Sequence, residues 1–177
     1  MRVVLFPPVC RQTDGGCDDV DLGGVFGRLQ SELELAGYTV IDGGELVASA
    51  RSRETAGAEL RLLGEQIVSA GGIHQAGSLF VDLPPAVRAQ VLEQAKAEGI
   101  LRVQLLFSPK DPLYPLYGVR ALELQARLGI GVDEKPAWAA RCSEIWVTAM
   151  QFIGGPDRTY ADGIDQAARC VARAALP

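Results

Sequence analysis

The chain has 177 residues, of which 48% are hydrophobic and 22% charged, a composition that fits one globular domain over residues 1–177. It excludes disordered, collagen-like and coiled-coil architectures. Seventeen basic against 22 acidic residues leave a net charge of -5, without the basic excess that binding to nucleic acid or an anionic membrane surface requires.

Arg2–Val9 reads as a short buried strand, because Val3-Val4-Leu5-Phe6 is a continuous apolar run ended by Pro7-Pro8. The loop from Cys10 to Cys17 follows, with Gly15-Gly16 permitting a tight return. Leu22, Val25, Phe26, Leu29, Leu33 and Ala36 then recur at helical spacing, with Asp19 or Asp21 at the start and Gly37 at the stop. Gly23, Gly24 and Gly27 lie within this helix, where close packing against a neighbour is their expected use. Tyr38-Thr39-Val40-Ile41 is a second strand, and a strand, helix, strand order of this length predicts a parallel pair.

Asp42-Gly43-Gly44-Glu45 has the spacing of a capping box, so a short helix is expected to begin there. A longer helix is predicted from about Glu54 to Ala70, with Leu60, Leu63, Ile67 and Val68 as its apolar stripe and Gly71-Gly72 ending it. In Ile73–Leu83 the run Leu79-Phe80-Val81 fits either a brief strand or a buried loop. Pro84-Pro85 opens another helix with Val87, Val91, Leu92 and Ala95 inward, stopped at Gly99.

The period then changes. Ile100–Phe107 is β-compatible, and Pro109–Pro115 forms a connection. From Tyr117 to Ile130, Leu122, Leu124, Ala126, Leu128 and Ile130 alternate with Glu123, Gln125, Arg127 and Gly129, the pattern of a strand with one wet face. After a turn over Gly131–Pro136, Ala137–Val147 returns as a third strand with Trp138, Ala140 and Cys142 on one side. A breaker cluster at Gly154-Gly155-Pro156-Asp157 precedes a helix from about Asp162 carrying Ile164, Ala167, Ala168, Val171 and Ala175 on one face. The expected fold is therefore mixed α/β: one mixed sheet with an N-terminal β-α-β unit, then helices, then an antiparallel C-terminal meander, the helices packing on the sheet.

Chemistry-bearing patterns are sparse. Neither a P-loop nor a strand-linked G-x-G-x-x-G is present, no G-x-S-x-G occurs, and His74 is the sole imidazole. Carboxylate pairs such as Asp18-Asp19, Glu32/Glu34 and Asp133-Glu134 read as solvation and capping. Zinc is disfavoured, since no C-x-x-C exists and His74 is remote in sequence from every cysteine. No cofactor is expected. The four cysteines, Cys10, Cys17, Cys142 and Cys170, suggest two bridges, one local between Cys10 and Cys17 and one tying the last strand to the last helix. Four reduced thiols are the alternative. Oxidised cysteines point to a periplasm or outer cell surface, with Met1 standing where an export signal was removed and a lipid anchor in the precursor. No run approaches the roughly 18 apolar residues of a membrane span. Pro112-Leu113-Tyr114-Pro115-Leu116-Tyr117 is the candidate partner-binding segment, because prolines stiffen it and tyrosines give contact area at small entropic cost.

Together, Arg2–Val9, the helix through Gly37, Tyr38-Thr39-Val40-Ile41-Asp42, the helix pair, the strand at Ile100 and Trp138-Ala139-Ala140-Arg141-Cys142 resemble the domain shared by the TolB amino-terminal region, the curli-secretion lipoprotein and the lipoprotein activators of penicillin-binding proteins. The helix around Pro85–Glu98 and the cysteine loop depart from that pattern. The resemblance implies a non-enzymatic, often lipid-anchored module that binds envelope proteins, with no catalytic residues to carry over. Two other functions are weighed beside it: a small hydrolase or transferase with a site near His74, and a small-ligand sensor with an apolar pocket.

Overall fold

The apolar run Val3-Val4-Leu5 forms β1 (Arg2–Leu5) and lies fully buried, with Val3 and Leu5 on one side of the sheet and Val4 on the other. Burial on both faces is what a continuous apolar strand requires. This is a computed structural model that describes residues 1–12, 20–54, 56–108, 119–147 and 160–175. The remaining elements are β2 (Val9–Gln12), α1 (Leu22–Leu35), β3 (Thr39–Asp42), α2 (Gly43–Ala50), α3 (Ala58–Ser69), α4 (Pro85–Ala95), β4 (Gly99–Ser108), β5 (Val119–Ile130), β6 (Lys135–Val147) and α5 (Tyr160–Ala174).

Among the described residues the strands form one open mixed sheet in the order β3-β1-β4-β5-β6, with β2 also paired to β4. β1 is parallel to β3 and to β4, so the β-α-β opening stands as expected, and β4, β5 and β6 form the antiparallel meander. The expected single strand Arg2–Val9 is instead two segments on one edge of β4. Val3 pairs with Gly99 and Leu5 with Leu101, whereas Val9 pairs with Gln104. Phe6, Pro7 and Pro8 thus span the space opposite Arg102 and Val103, an extra residue that accommodates two prolines without stopping the pairing.

On one face α1 and α5 cover Leu101, Val103 and Leu105 of β4 and Leu122, Leu124, Ala126 and Leu128 of β5. Asp21 starts α1 by accepting a hydrogen bond from Gly24 N. Tyr38 closes the end of this layer: its hydroxyl donates to the Ala175 carbonyl at 2.6 Å and accepts from Trp138 Nε1 at 3.2 Å. Cys142 on β6 and Cys170 on α5 form a disulfide with their Cα atoms 5.9 Å apart, the pairing that was expected from their placement in the last strand and last helix.

On the opposite face α2, α3 and α4 bury Val4, Phe6 and Ile100. Asp42 caps α2 through Glu45 N. α3 begins at Ala58 rather than near Glu54, where the Gly57 N–H donates to Gln90 Oε1 on α4. Val68, expected in its apolar stripe, is exposed. The run around Leu79, compatible in sequence with a brief strand or a buried loop, is not a strand but a single 3-10 turn over Gly77–Phe80, with Phe80 buried and stacked on Phe6 at a centroid separation of 4.6 Å. A Cβ at Gly77 would stand 2.8 Å from the Pro8 carbonyl oxygen, so only glycine lets this turn lie against the Pro7-Pro8 interruption. α4 ends earlier than Gly99, at Lys96 in the left-handed conformation.

Candidate functional site

The helices on the second face cover β3, β1 and the start of β4, and stop there. Beyond them the floor of β4, β5 and β6 is lined by the polar half of each alternating strand. Register places Arg102 directly opposite Arg127, Gln104 opposite Gln125 and Leu106 opposite Glu123. On β6, Ala139, Arg141 and Ser143 continue the three rows. The 3-10 turn and Val81-Asp82 rise as a wall beside this floor, and Phe6, Pro7, Val9 and Arg11 close the corner, leaving an open cleft of 690 Å³.

Arg102 is the fixed element. Its Nε donates to Glu134 Oε1 at 2.8 Å and its Nη1 to the Phe80 carbonyl at 2.6 Å, while its Nη2 is enclosed without an acceptor. Arg88 on α4 donates to the other oxygen of Glu134 at 2.9 Å. One carboxylate therefore serves two half-buried guanidiniums and ties α4, the 3-10 turn and the β5–β6 turn together. Glu134 reaches this position from a left-handed backbone with φ of 48°, a conformation a residue with a Cβ adopts only when the surroundings hold it there. The expectation that Asp133-Glu134 serves solvation and capping is corrected for Glu134, whose carboxylate is engaged by two arginines.

Glu123 occupies the outer row. Gln125 Nε2 and Ser143 Oγ donate to it, and Arg141 Nε lies 2.7 Å away. The Gln125 hydrogen bond first, then those from Arg141 and Ser143 and the charge of Arg141, hold its carboxyl below the usual range against the opposing effect of burial. Arg127 and Arg11 are exposed and form no ion pair among the described residues.

The residues singled out from sequence are placed unevenly. Pro112, Leu113, Tyr114, Pro115, Leu116 and Tyr117 lie outside the described residues, as do Cys17, Asp18, Asp19 and the breaker cluster from Gly154. Cys10 is disulfide-bonded. His74 is half-buried, its ring 5.9 Å from that of Phe26, with Nδ1 enclosed and unpartnered and no hydrogen bond to any described side chain. It lines a second cavity of 640 Å³ with Asp21 and Ser78, but Asp21 is committed to capping α1. The glycines of α1 form no packing seam: Gly23 makes room for His74, whereas a Cβ at Gly27 would meet nothing. Among the described residues no three His, Cys, Asp or Glu side chains are grouped to hold a metal, and no helix is long and apolar enough to cross a membrane.

Sequence reasoning missed the arginine floor. Its signal was the wet alternation Glu123, Gln125, Arg127 together with Arg102 and Gln104, which shows a polar face but not which residues oppose one another.

No protein-family model matches the chain, and no curated protein matches it in sequence. Solved structures similar to it include lipoprotein GNA1162 from Neisseria meningitidis, at 15% identity over 81% of this chain and 78% of that one with a TM-score of 0.46. The LpoB C-terminal domain from Escherichia coli aligns at 11% identity over 81% of each chain, TM-score 0.45. The hypothetical protein CT253 from Chlamydia trachomatis aligns at 11% identity over 97% of this chain and 91% of that one, TM-score 0.49.

Proposed function

We propose that the chain is a non-enzymatic binding module of the bacterial cell envelope, a disulfide-locked scaffold that docks a protein partner. The observation that carries this reading is the oxidised state of its cysteines: Cys142 is bridged to Cys170, and Cys10 is disulfide-bonded. Structural disulfides persist outside the reducing cytosol. The edge strand β6 supports the docking role. It runs for 13 residues with no strand partner on its outer side among the described residues, and Lys135 and Pro136 guard one end against indiscriminate pairing. The resemblance in pattern to the TolB amino-terminal, curli-secretion and penicillin-binding-protein-activator domains accords with the same reading.

The test has two parts. Protein taken from its native compartment and alkylated without reductant should take up no label, and labelled thiols would reject the envelope placement. A photoactivatable residue at Ser143 on β6 should give a discrete adduct with an envelope protein, while one at Glu65 on α3 should not. Equal labelling from both, or none, would reject docking at this edge.

A second reading, small-ligand binding, is favoured by the cleft of 690 Å³, which falls within the roughly 300–1,000 Å³ of small-molecule sites. A hydrolase or transferase at His74 finds no such support, since no described nucleophile or base is hydrogen-bonded to that ring.

A further inference from the structure

We propose that the arginine-floored cleft is a binding site for a small organic anion, a carboxylate or phosphate head carried on an apolar body, with Arg127 as its principal contact. The proposal rests on the small-ligand reading of the cleft and names the ligand's chemistry.

Three observations converge on it. Arg102 and Arg127 stand directly opposite in the β4–β5 ladder, where side chains lie about 5 Å apart at Cβ and like charges repel. The counter-charge nearest to hand is already used, because Glu134 is divided between Arg88 and Arg102. Arg127 is left exposed with no ion pair among the described residues.

The local balance of charge points the same way. Arg11, Arg102, Arg127 and Arg141 line the cleft and the smaller cavity beside it, against Asp82 and Glu134 on those walls and Glu123, which is paired to Arg141 on the same floor. That is an excess of positive charge on a protein whose net charge is -5. The field at the cleft favours an anion although the whole molecule repels one. The planar fork of Arg127 suits two-point recognition of a carboxylate or phosphate, and the Gln104 amide stands one row away. Arg102 contributes its charge rather than a contact, since its nitrogens are engaged or enclosed. Facing these groups, Pro7, Val9, Phe80 and Val81 offer an apolar wall for the rest of the ligand.

The arrangement also predicts a trade between stability and binding. Removing Arg127 relieves the repulsion at Arg102 in the empty protein while deleting the anion contact, so Arg127→Gln should raise the unfolding midpoint without ligand and weaken anion binding at least tenfold. A merely structural arginine would do the reverse.

The experiment measures binding by calorimetry and thermal shift with hexyl phosphate, hexanoate, inorganic phosphate, hexanol and a tetraglutamate peptide, on the wild type, Arg127→Gln and Arg127→Lys. Hexyl phosphate and hexanoate are expected to bind and to stabilise the wild type, hexanol not, and Arg127→Lys should retain charge attraction but bind several-fold more weakly. Which of the two anions binds tighter distinguishes a phosphate source from a carboxylate one. Inorganic phosphate binding as tightly as hexyl phosphate would overturn the apolar-body assignment, and tetraglutamate binding tighter than either would overturn a small-molecule occupant in favour of an acidic protein segment. Binding of hexanol alone would overturn the anion assignment while leaving the small-ligand reading in place. No binding by any probe, nor by a wider metabolite collection, would end both.

Discussion

Removing the Cys142–Cys170 bridge is the perturbation whose size follows most directly from the structure. The two cysteines are 28 residues apart, and constraining a loop of that length lowers the entropy of the unfolded chain by roughly 12 cal/mol/K, about 3.6 kcal/mol at 25 °C. With a urea dependence of about 2 kcal/mol/M for a chain of this size, C142A/C170A should move the denaturation midpoint down by about 1.5 to 2 M. Each single variant should come within about 1 kcal/mol of the double variant, because breaking the link removes the whole constraint whichever sulfur is lost. A small excess for C142A is expected, since Cys142 is buried opposite Leu124 whereas Cys170 is exposed. Folding itself should survive, because Ile164, Ala167, Ala168 and Val171 still bury one face of α5 on the sheet. A midpoint change below about 0.5 M in the double variant would refute the reasoning, for it would mean that the unfolded chain is already held compact or that the bridge costs the native state as much as it confers.

Other outcomes follow from the polar floor. Glu123 has its carboxyl held down by Gln125, Arg141 and Ser143, so its contribution is complete above the unfolded value of about 4.3 and is lost as pH falls through the lower folded value. E123Q should be less stable than the wild type at neutral pH, and the gap should close on acidification from about pH 5, as followed by urea midpoints across pH. Replacing Glu134 leaves Arg88 and Arg102 facing each other's charge in a half-buried setting; the expected cost is about 2 to 3 kcal/mol, below that of a fully buried pair. Because Glu134 sits at φ of 48°, E134G should be more stable than E134A by about 1 kcal/mol, and equal losses would show that the backbone there is unstrained.

The parts of the fold that a sequence shows well are those with a period. The faces of α1, α4 and α5 and the alternation along β5 appear in the structure as written in the chain, because burial of one stripe is a local property. What escapes is anything decided by a neighbour. Pro7-Pro8 carries no sign that the chain will resume pairing at Val9, since that depends on β4 presenting Gln104 at the right height. The stop of α4 is taken by Lys96 rather than by the glycine three residues on, and Gly99 serves the sheet instead, where a Cβ would stand 2.7 Å from the Gly129 carbonyl oxygen. The buried 3-10 turn at Leu79-Phe80 has too few residues for any period to declare itself.

The candidate site is hidden by the same rule, with a sharper consequence. Arg102 and Arg127 each read as an ordinary wet position on a strand, and neither is unusual alone. Their opposition exists only in the register observed, a ladder that the Gly131 N–H extends by donating to the Glu98 carbonyl at 2.9 Å just beyond the Gly99–Ile130 pair. A slip of two residues would keep every apolar side chain on its present face and set Arg127 against Gln104 and Arg102 against Gly129, dissolving the repulsion. Hydrophobic patterning therefore does not require the like-charge pair. The ten-pair β4–β5 ladder, extended by the Gly131 N–H to the Glu98 carbonyl, holds the register, while the turn beyond it supplies a single carboxylate, Glu134, that Arg102 shares with Arg88. A ladder that sets Arg102 opposite Arg127, with Glu134 divided between Arg102 and Arg88, leaves a positive floor, and it is there that we propose an anion binds.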